Sequence, residues 1–296
     1  MNKIDNSVIE IDLDNCTKCN ACVNDCVCHL FYIESERLQI TNNFEEQCIL
    51  CGHCVAVCPV NVIKLKIHKD IPIRELYKTE EIPNYDSLYK LALKRRSIRQ
   101  FTTEPLSKQL IEKLLELARY SPTGNNTENV FYTVVQNKQI VTNISNYITM
   151  KVKRFVESMD DPKGRELLKT RLSKVEFDLA LENLPKNKVI LKIVDDGIDY
   201  WCWNGEIIFI HGDITIGGIS SNTALAAAHI MLAAETLGLG TCSLGYLTYY
   251  TNQSETIKKW IKLPENHEVG YSLVIGYSKV KYKRIPSRKQ IRIQWL

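Results

Sequence analysis

The sequence has no apolar run approaching the roughly 18 residues that a bilayer-spanning helix needs. Its richest stretch, residues 224–234, is short and carries His229, which suits a buried helix instead. Residues 1–10 show no basic segment followed by an apolar one, so no secretory signal is expected. Net charge is only +4 over 296 residues, and Lys and Arg are dispersed apart from short pairs such as Arg95 and Arg96. That balance argues against an extended basic face for nucleic acid. No Gly-x-Gly-x-x-Gly occurs, so the dinucleotide fingerprint is missing as well. These absences lead to the expectation of a cytoplasmic protein with neither a membrane nor a nucleic-acid partner.

Cysteine is plentiful by contrast. Nine of the 11 cysteines lie between Cys16 and Cys58. In a reducing compartment, dense short-spaced cysteines bind metal more often than they pair as disulfides. They form two sets, Cys16, Cys19, Cys22 and Cys26, then Cys48, Cys51, Cys54 and Cys58, the last followed by Pro59. Every cysteine of the second set lies 32 residues after its counterpart, the mark of a duplicated unit. Each half reads as strand, cysteine loop, short helix and strand, with strands expected at 9–13, 30–33, 37–40 and 62–67. Three thiolates spaced C-x2-C-x2-C fit a tight loop around three irons of a cubane, while the fourth cysteine points away and reaches the other cluster.

The pattern resembles the bacterial two-cluster ferredoxins across residues 1–68. That resemblance implies two [4Fe–4S] clusters, one held by Cys16, Cys19, Cys22 and Cys58 and the other by Cys48, Cys51, Cys54 and Cys26. Zinc, or a degenerate site, is the alternative. Cys26 is followed by Val27 where the pattern usually has proline. Cys28 is an extra thiol whose counterpart is Val60; it reads either as a small buried residue or as a swapped or tuning ligand. Residues 1–68 carry nine acidic and five basic side chains, a formal charge of −4 that leaves +8 on the remainder. An acidic electron carrier beside a basic domain is electrostatically sensible.

Residues 69–85, with Pro72 and Pro83, read as an extended connector. A helix capped by Asp86 follows, then a second helix over 107–120 and a strand at 130–135. The span 140–184 reads as mostly helical, with strands at 189–194 and 207–211. A long Ala-rich helix over 217–237 precedes core strands at 240–243 and 269–276. Helices and β-rich segments of mixed length point to an α+β domain with a central sheet.

Five segments in order resemble the nitroreductase-type flavin reductases over residues 86–296. They are Arg95-Arg96-Ser97-Ile98-Arg99, then Ser121-Pro122-Thr123-Gly124-Asn125, the Ala-rich helix running into Leu244-Gly245-Tyr246, Leu263-Pro264-Glu265, and Lys283-Arg284-Ile285. The expected fold class is therefore α+β, a ferredoxin-like two-cluster module (1–68), a linker (69–85) and a nitroreductase-like FMN domain (86–296). The resemblance implies that Arg95, Ser97, Arg99 and Arg284 hold the FMN phosphate, a task suited to guanidinium forks and a hydroxyl. It implies that Ser121, Pro122, Thr123 and Asn125 pack along the flavin of a partner subunit in a homodimer. Backbone groups at Gly245 and Tyr246 would meet the flavin's reactive edge. The family often has an acidic residue or a second glycine near this turn, which leaves the substrate pocket open. Trp201, Cys202 and His211 are candidates for a pocket wall or for plain packing, and Cys202 and Cys242 could face one another without forming a disulfide. No catalytic side chain stands out. The implied activity is reduction of a small acceptor, such as a nitro compound, quinone or flavin, fed by ferredoxin or flavodoxin through the clusters. An NAD(P)H-fed reductase sending electrons outward, and a redox sensor or carrier subunit, are the alternatives.

Overall fold

In the computed structural model of the chain, residues 2–66 and 74–296 are described. They group into two compact units. One comprises the described residues up to Ile82 with Thr123–Thr127; the other comprises Pro83–Pro122 with Glu128–Leu296. Ile67, at the end of an expected strand, and Pro72, in the expected connector, lie outside the described residues.

The N-terminal unit runs β1 (Lys3–Asp5), β2 (Ile9–Asp12), α1 (Ala21–Asp25), β3 (Phe31–Glu34), β4 (Arg37–Ile40), α2 (Phe44–Gln47), α3 (His53–Val57) and β5 (Ile63–Leu65). Strands pair antiparallel as a β1-β2-β5 sheet and a β3-β4 hairpin. In β2, Ile9 and Ile11 are buried while Glu10 and Asp12 stay accessible, the period-2 signature of a sheet with one covered face. Those isoleucines pack with Leu30, Phe31, Leu38, Phe44 and Ile63. Strand β1 was not expected, because three residues are too few to show an alternation.

The C-terminal unit runs α4 (Tyr85–Lys94), α5 (Lys108–Ala118), β6 (Phe131–Val135), α6 (Lys138–Asp160), α7 (Pro162–Arg171), α8 (Lys174–Asp195), β7 (Glu206–Asp213), α9 (Ile219–Thr236), β8 (Leu239–Ser243), α10 (Gly245–Asn252), α11 (Glu255–Trp260) and β9 (His267–Tyr277). Its antiparallel sheet has the order β6-β7-β9-β8. Ile208, Ile210, Leu273 and Ile275 pack with α5 and α9. The alternate residues Ile207, Phe209 and Val274 pack with α6, α8 and α10 instead. Ala226, Ala227, Ala233 and Ala234 of α9 are buried in the first of these layers, so the small-residue face is used within the chain. Among the described residues no helix is long and apolar enough to cross a membrane.

Helix boundaries follow the caps. Asn84, not Asp86, caps α4, its side chain accepting from the Ser87 amide, and Asp86 falls in the first turn. Ser107 caps α5 through the Leu110 amide. The expected long helical span divides into three where Asp161-Pro162 starts α7 and a Ser173/Glu176 capping box starts α8. The strand expected at 189–194 lies inside α8. Its β-branched residues suit either structure, but helix begun at the capping box continues through them and buries Ile190 and Leu191.

Candidate functional site

The two cysteine loops have the same backbone. Lys18 and Leu50, Asn20 and Gly52, and His29 and Asn61 form pairs 32 residues apart, and all six adopt left-handed φ between 51° and 73°. Asn and Gly tolerate that region best, which explains Asn20 and Gly52 at the starts of α1 and α3. Cys26 and Cys58 end those helices with nearly identical dihedrals, φ −75°, ψ 105° and φ −72°, ψ 112°. The consequence is two hollows. Cys16, Cys19, Cys22 and Cys58 line the first, with Ile33, Leu38 and Val60 beside them. Cys26, Cys28, Cys48, Cys51 and Cys54 line the second, with Leu30, Phe31 and Phe44. The first hollow therefore takes three thiols from one loop and a fourth from the other, and the second takes three from one loop and two, Cys26 and Cys28, from the other.

The hollows are poor places for bare thiolates. Burial, and then the neighbouring Cys16, pushes the Cys22 thiol up to about 11. Burial, and then Cys48, pushes Cys54 up to about 12. Exposed Cys19 goes the other way, lowered by the Ala21 amide and the Thr17 side chain. Ionised thiols crowded in an apolar hollow need compensating cations. Among the described residues no group of three or more His, Cys, Asp or Glu is set to hold a single metal ion. A donor set of sulfur alone, spread around each hollow, fits an iron–sulfur cubane better than one ion.

In the C-terminal unit the chain leaves α4 at Arg95 and runs beside β8. Ser97 pairs with Thr241 in a parallel bridge, and the Ile98 amide donates to the Thr241 carbonyl at 2.9 Å. Gly240 permits that approach, since a Cβ there would sit 2.6 Å from Ile98 Cγ1. This pairing sets Arg95, Ser97 and Arg99 around Cys242. Burial pushes that thiol up, while Arg99, Ser97 and Arg95, in that order, pull it down. Arg99 also lies 5.8 Å from the Trp203 ring centroid.

Strand β8 leads through Leu244 directly into α10. Leu244 gives α10 no side-chain cap, so the first amides of the helix, at Gly245 and Tyr246, remain open to an incoming acceptor atom. A Cβ added at Gly245 would meet nothing within 4 Å. Beside this turn is a cavity of about 660 Å³ walled by Phe155 of α6, Leu168 of α7, Leu179 and Lys186 of α8, and Tyr246 and Tyr250 of α10. The Tyr246 hydroxyl donates to Asn187 Oδ1 at 3.2 Å, and Lys186 Nζ lies 5.8 Å from the Tyr246 ring centroid. Large, mostly apolar and provided with a few polar groups, it has the character of a small-molecule site.

Residues 92–277 match the nitroreductase family model, well over half of the chain. The chain belongs to the nitroreductase family. Residues 15–63 match the 4Fe-4S dicluster domain. A ferredoxin of Methanothermococcus thermolithotrophicus is 35% identical over 60 residues, 20% of this chain and 97% of that protein. Iodotyrosine deiodinase of Nematostella vectensis is 22% identical over 227 residues, 74% of this chain and 75% of that one. The structure of a nitroreductase with bound FMN from Desulfitobacterium hafniense DCB-2 shares the fold, with a TM-score of 0.50 and 20% identity over 70% of this chain and 97% of the other. This is thus a nitroreductase-family oxidoreductase with an N-terminal dicluster ferredoxin domain.

Not every residue expected at the nitroreductase site joins the group around Cys242. Arg284 is exposed in the irregular segment after β9 and makes no hydrogen bond or ion pair among the described residues. Ser121 is buried just after α5, its amide donating to the Ala118 carbonyl. Ser121 and Pro122 fall in the C-terminal unit and Thr123 and Asn125 in the N-terminal one. There, Asn126 Nδ2 donates to the Ile49 carbonyl at 3.2 Å. Trp201 is core, its Nε1 donating to Thr149 Oγ1, and Cys202 is wholly buried with its thiol well above the usual range. All eleven cysteines are free thiols. Sequence reasoning missed Lys186 and Asn187, which sit in an ordinary-looking helix. Tyr246, Tyr249 and Tyr250, at helical i, i+3, i+4 spacing, were a signal that could have found the cavity wall.

Proposed function

We propose that this nitroreductase-family chain is an iron–sulfur flavoenzyme that draws single electrons from ferredoxin or flavodoxin and reduces a small acceptor by two electrons. The observation that carries the reading is one polypeptide with two sulfur-lined hollows and, in its other unit, a basic cluster beside an open helix start and an apolar cavity. When bound, [4Fe–4S] clusters supply one-electron carriers and FMN a two-electron one, which matches such a donor to such a reduction.

Cys16, Cys19, Cys22 and Cys58 would hold one cluster, and Cys48, Cys51, Cys54 and Cys26 the other. Arg95 and Arg99 would grip the FMN phosphate with forked charge-assisted hydrogen bonds, joined by the Ser97 hydroxyl and by Arg284. The amides at Gly245 and Tyr246 would orient the flavin edge. The tyrosine-lined cavity would exclude water and seat a planar acceptor such as a nitro compound, a quinone or a flavin. Residues 1–68 would act as the carrier, 69–85 as the connector and 86–296 as the flavin domain. A homodimer in which Ser121, Pro122, Thr123 and Asn125 reach the partner's flavin completes the reading.

Anaerobic purification tests it. The protein should carry about eight irons and about eight acid-labile sulfides per chain and release FMN on denaturation. Reduced ferredoxin should support turnover of a quinone. Stoichiometric zinc, or release of no FMN, would contradict the proposal.

A further inference from the structure

We propose that Cys28 is a reserve ligand of the second cluster, able to take the place of Cys26. The second hollow has five thiols where four suffice, and the fifth is Cys28. The duplicated fold explains why it reaches the hollow. After Cys26 the chain makes a turn in which the His29 amide donates to the Cys26 carbonyl at 2.9 Å. After Cys58 the same turn recurs, the Asn61 amide donating to the Cys58 carbonyl at 3.3 Å. His29 and Asn61 close these turns at φ 51° and 52°. Cys28 and Val60 occupy the same place in the two turns, and each lines the hollow that its preceding cysteine borders. The backbone of the repeat thus aims this position at a hollow, and only one copy carries a thiol.

The two copies also differ one residue earlier, where Val27 stands opposite Pro59. Proline fixes φ and stiffens the turn around Cys58; valine leaves the turn around Cys26 freer to rotate. Cys28 is half-buried and packs with the core of the unit, so an exchange needs no unfolding. In the exchange, Cys28 gives up its proton as its sulfur–iron bond forms. The sulfur of Cys26 takes up a proton as its bond breaks, and no electron is transferred. At the first hollow Val60 offers no such replacement.

The inference rests on the crossed ligand sets proposed above, and iron content with electron paramagnetic resonance of the anaerobically reconstituted full chain tests both. Cys26→Ala should retain about eight irons with one altered [4Fe–4S] signal, whereas Cys26→Ala/Cys28→Ala should fall to about four. Cys58→Ala should lose the first cluster, and adding Val60→Cys to it should restore the iron. If Cys26→Ala is as depleted as the double variant, and Val60→Cys does not rescue Cys58→Ala, the reserve role is wrong while the crossed sets stand. If the double variant keeps about eight irons, the crossed sets fail too.

Discussion

Two glycines five residues apart, Gly240 and Gly245, have opposite reasons to be glycine. Gly240 is dictated by packing, because a methyl group there would drive into Ile98 and push the 95–99 segment off β8. Gly240→Ala should cost about 1–3 kcal/mol in stability and weaken FMN binding with it. Gly245 has open space where its Cβ would be, and nothing in the protein demands its absence. Gly245→Ala should leave the stability of the flavin-free protein within about 0.5 kcal/mol of the parent, since it meets no neighbour. Its FMN affinity should nevertheless drop if the flavin edge lies where proposed, because the methyl would occupy that face. Urea unfolding of the flavin-free proteins and FMN titration separate the two effects. Unchanged FMN affinity in Gly245→Ala would move the flavin edge away from the start of α10.

At the scale of elements, β7 and β9 are joined by a pair of histidines at the bulge between Ile210 and His211. His211 is buried, with Nε2 3.1 Å from Thr133 Oγ1 and Nδ1 2.8 Å from His267 Nδ1. Phe131 stacks on His211 and meets His267 edge-on, and the Asp213 carboxylate is held down in part by His267. Burial, and then the charge of His267, pushes His211 down to about 4. An unfolded histidine titrates near 6.5, so between these values the unfolded chain binds the extra proton. The sheet is therefore fully stable above about pH 6.5 and loses stability as pH falls toward 4, by about 2 kcal/mol between pH 7.5 and 5. All four tryptophans lie beyond residue 200, so tryptophan fluorescence follows unfolding of the C-terminal unit alone. His211→Gln should flatten this pH dependence; the same loss in the variant would assign it elsewhere.

His211 also marks where sequence reading stops. A lone histidine in an apolar run gives no hint of a partner 56 residues away, and only strand register supplies His267. Elements with a dense local signal were legible: the cysteine period, the helix beginning near Ser107 and the apolar runs of β7 and β9. Arg95, Ser97 and Arg99 were picked out through the family resemblance, and their close spacing in the chain brings them together around Cys242. The helix containing 189–194 was not, since short β-branched runs fit both periods. Nor was most of the cavity wall, where consecutive helices α6 to α8 meet the tyrosines of α10 about 50 residues further on, and only those tyrosines carried a local signal.

For the whole molecule, residues 1–68 are the proposed entry point for electrons. The acidic charge of that region and the basic remainder agree with a donor-facing carrier fused to a site for an anionic cofactor. Fusion also keeps the carrier's local concentration high whatever the protein concentration. The direct test is anaerobic rapid mixing of the intact protein, and of full-length Cys22→Ser and Cys54→Ser variants, with reduced ferredoxin while the flavin absorbance is followed. The intact protein should reduce its flavin rapidly. Each variant should retain FMN that dithionite can reduce, yet accept electrons from ferredoxin at least tenfold more slowly. Equal rates in the intact protein and both variants would contradict the account.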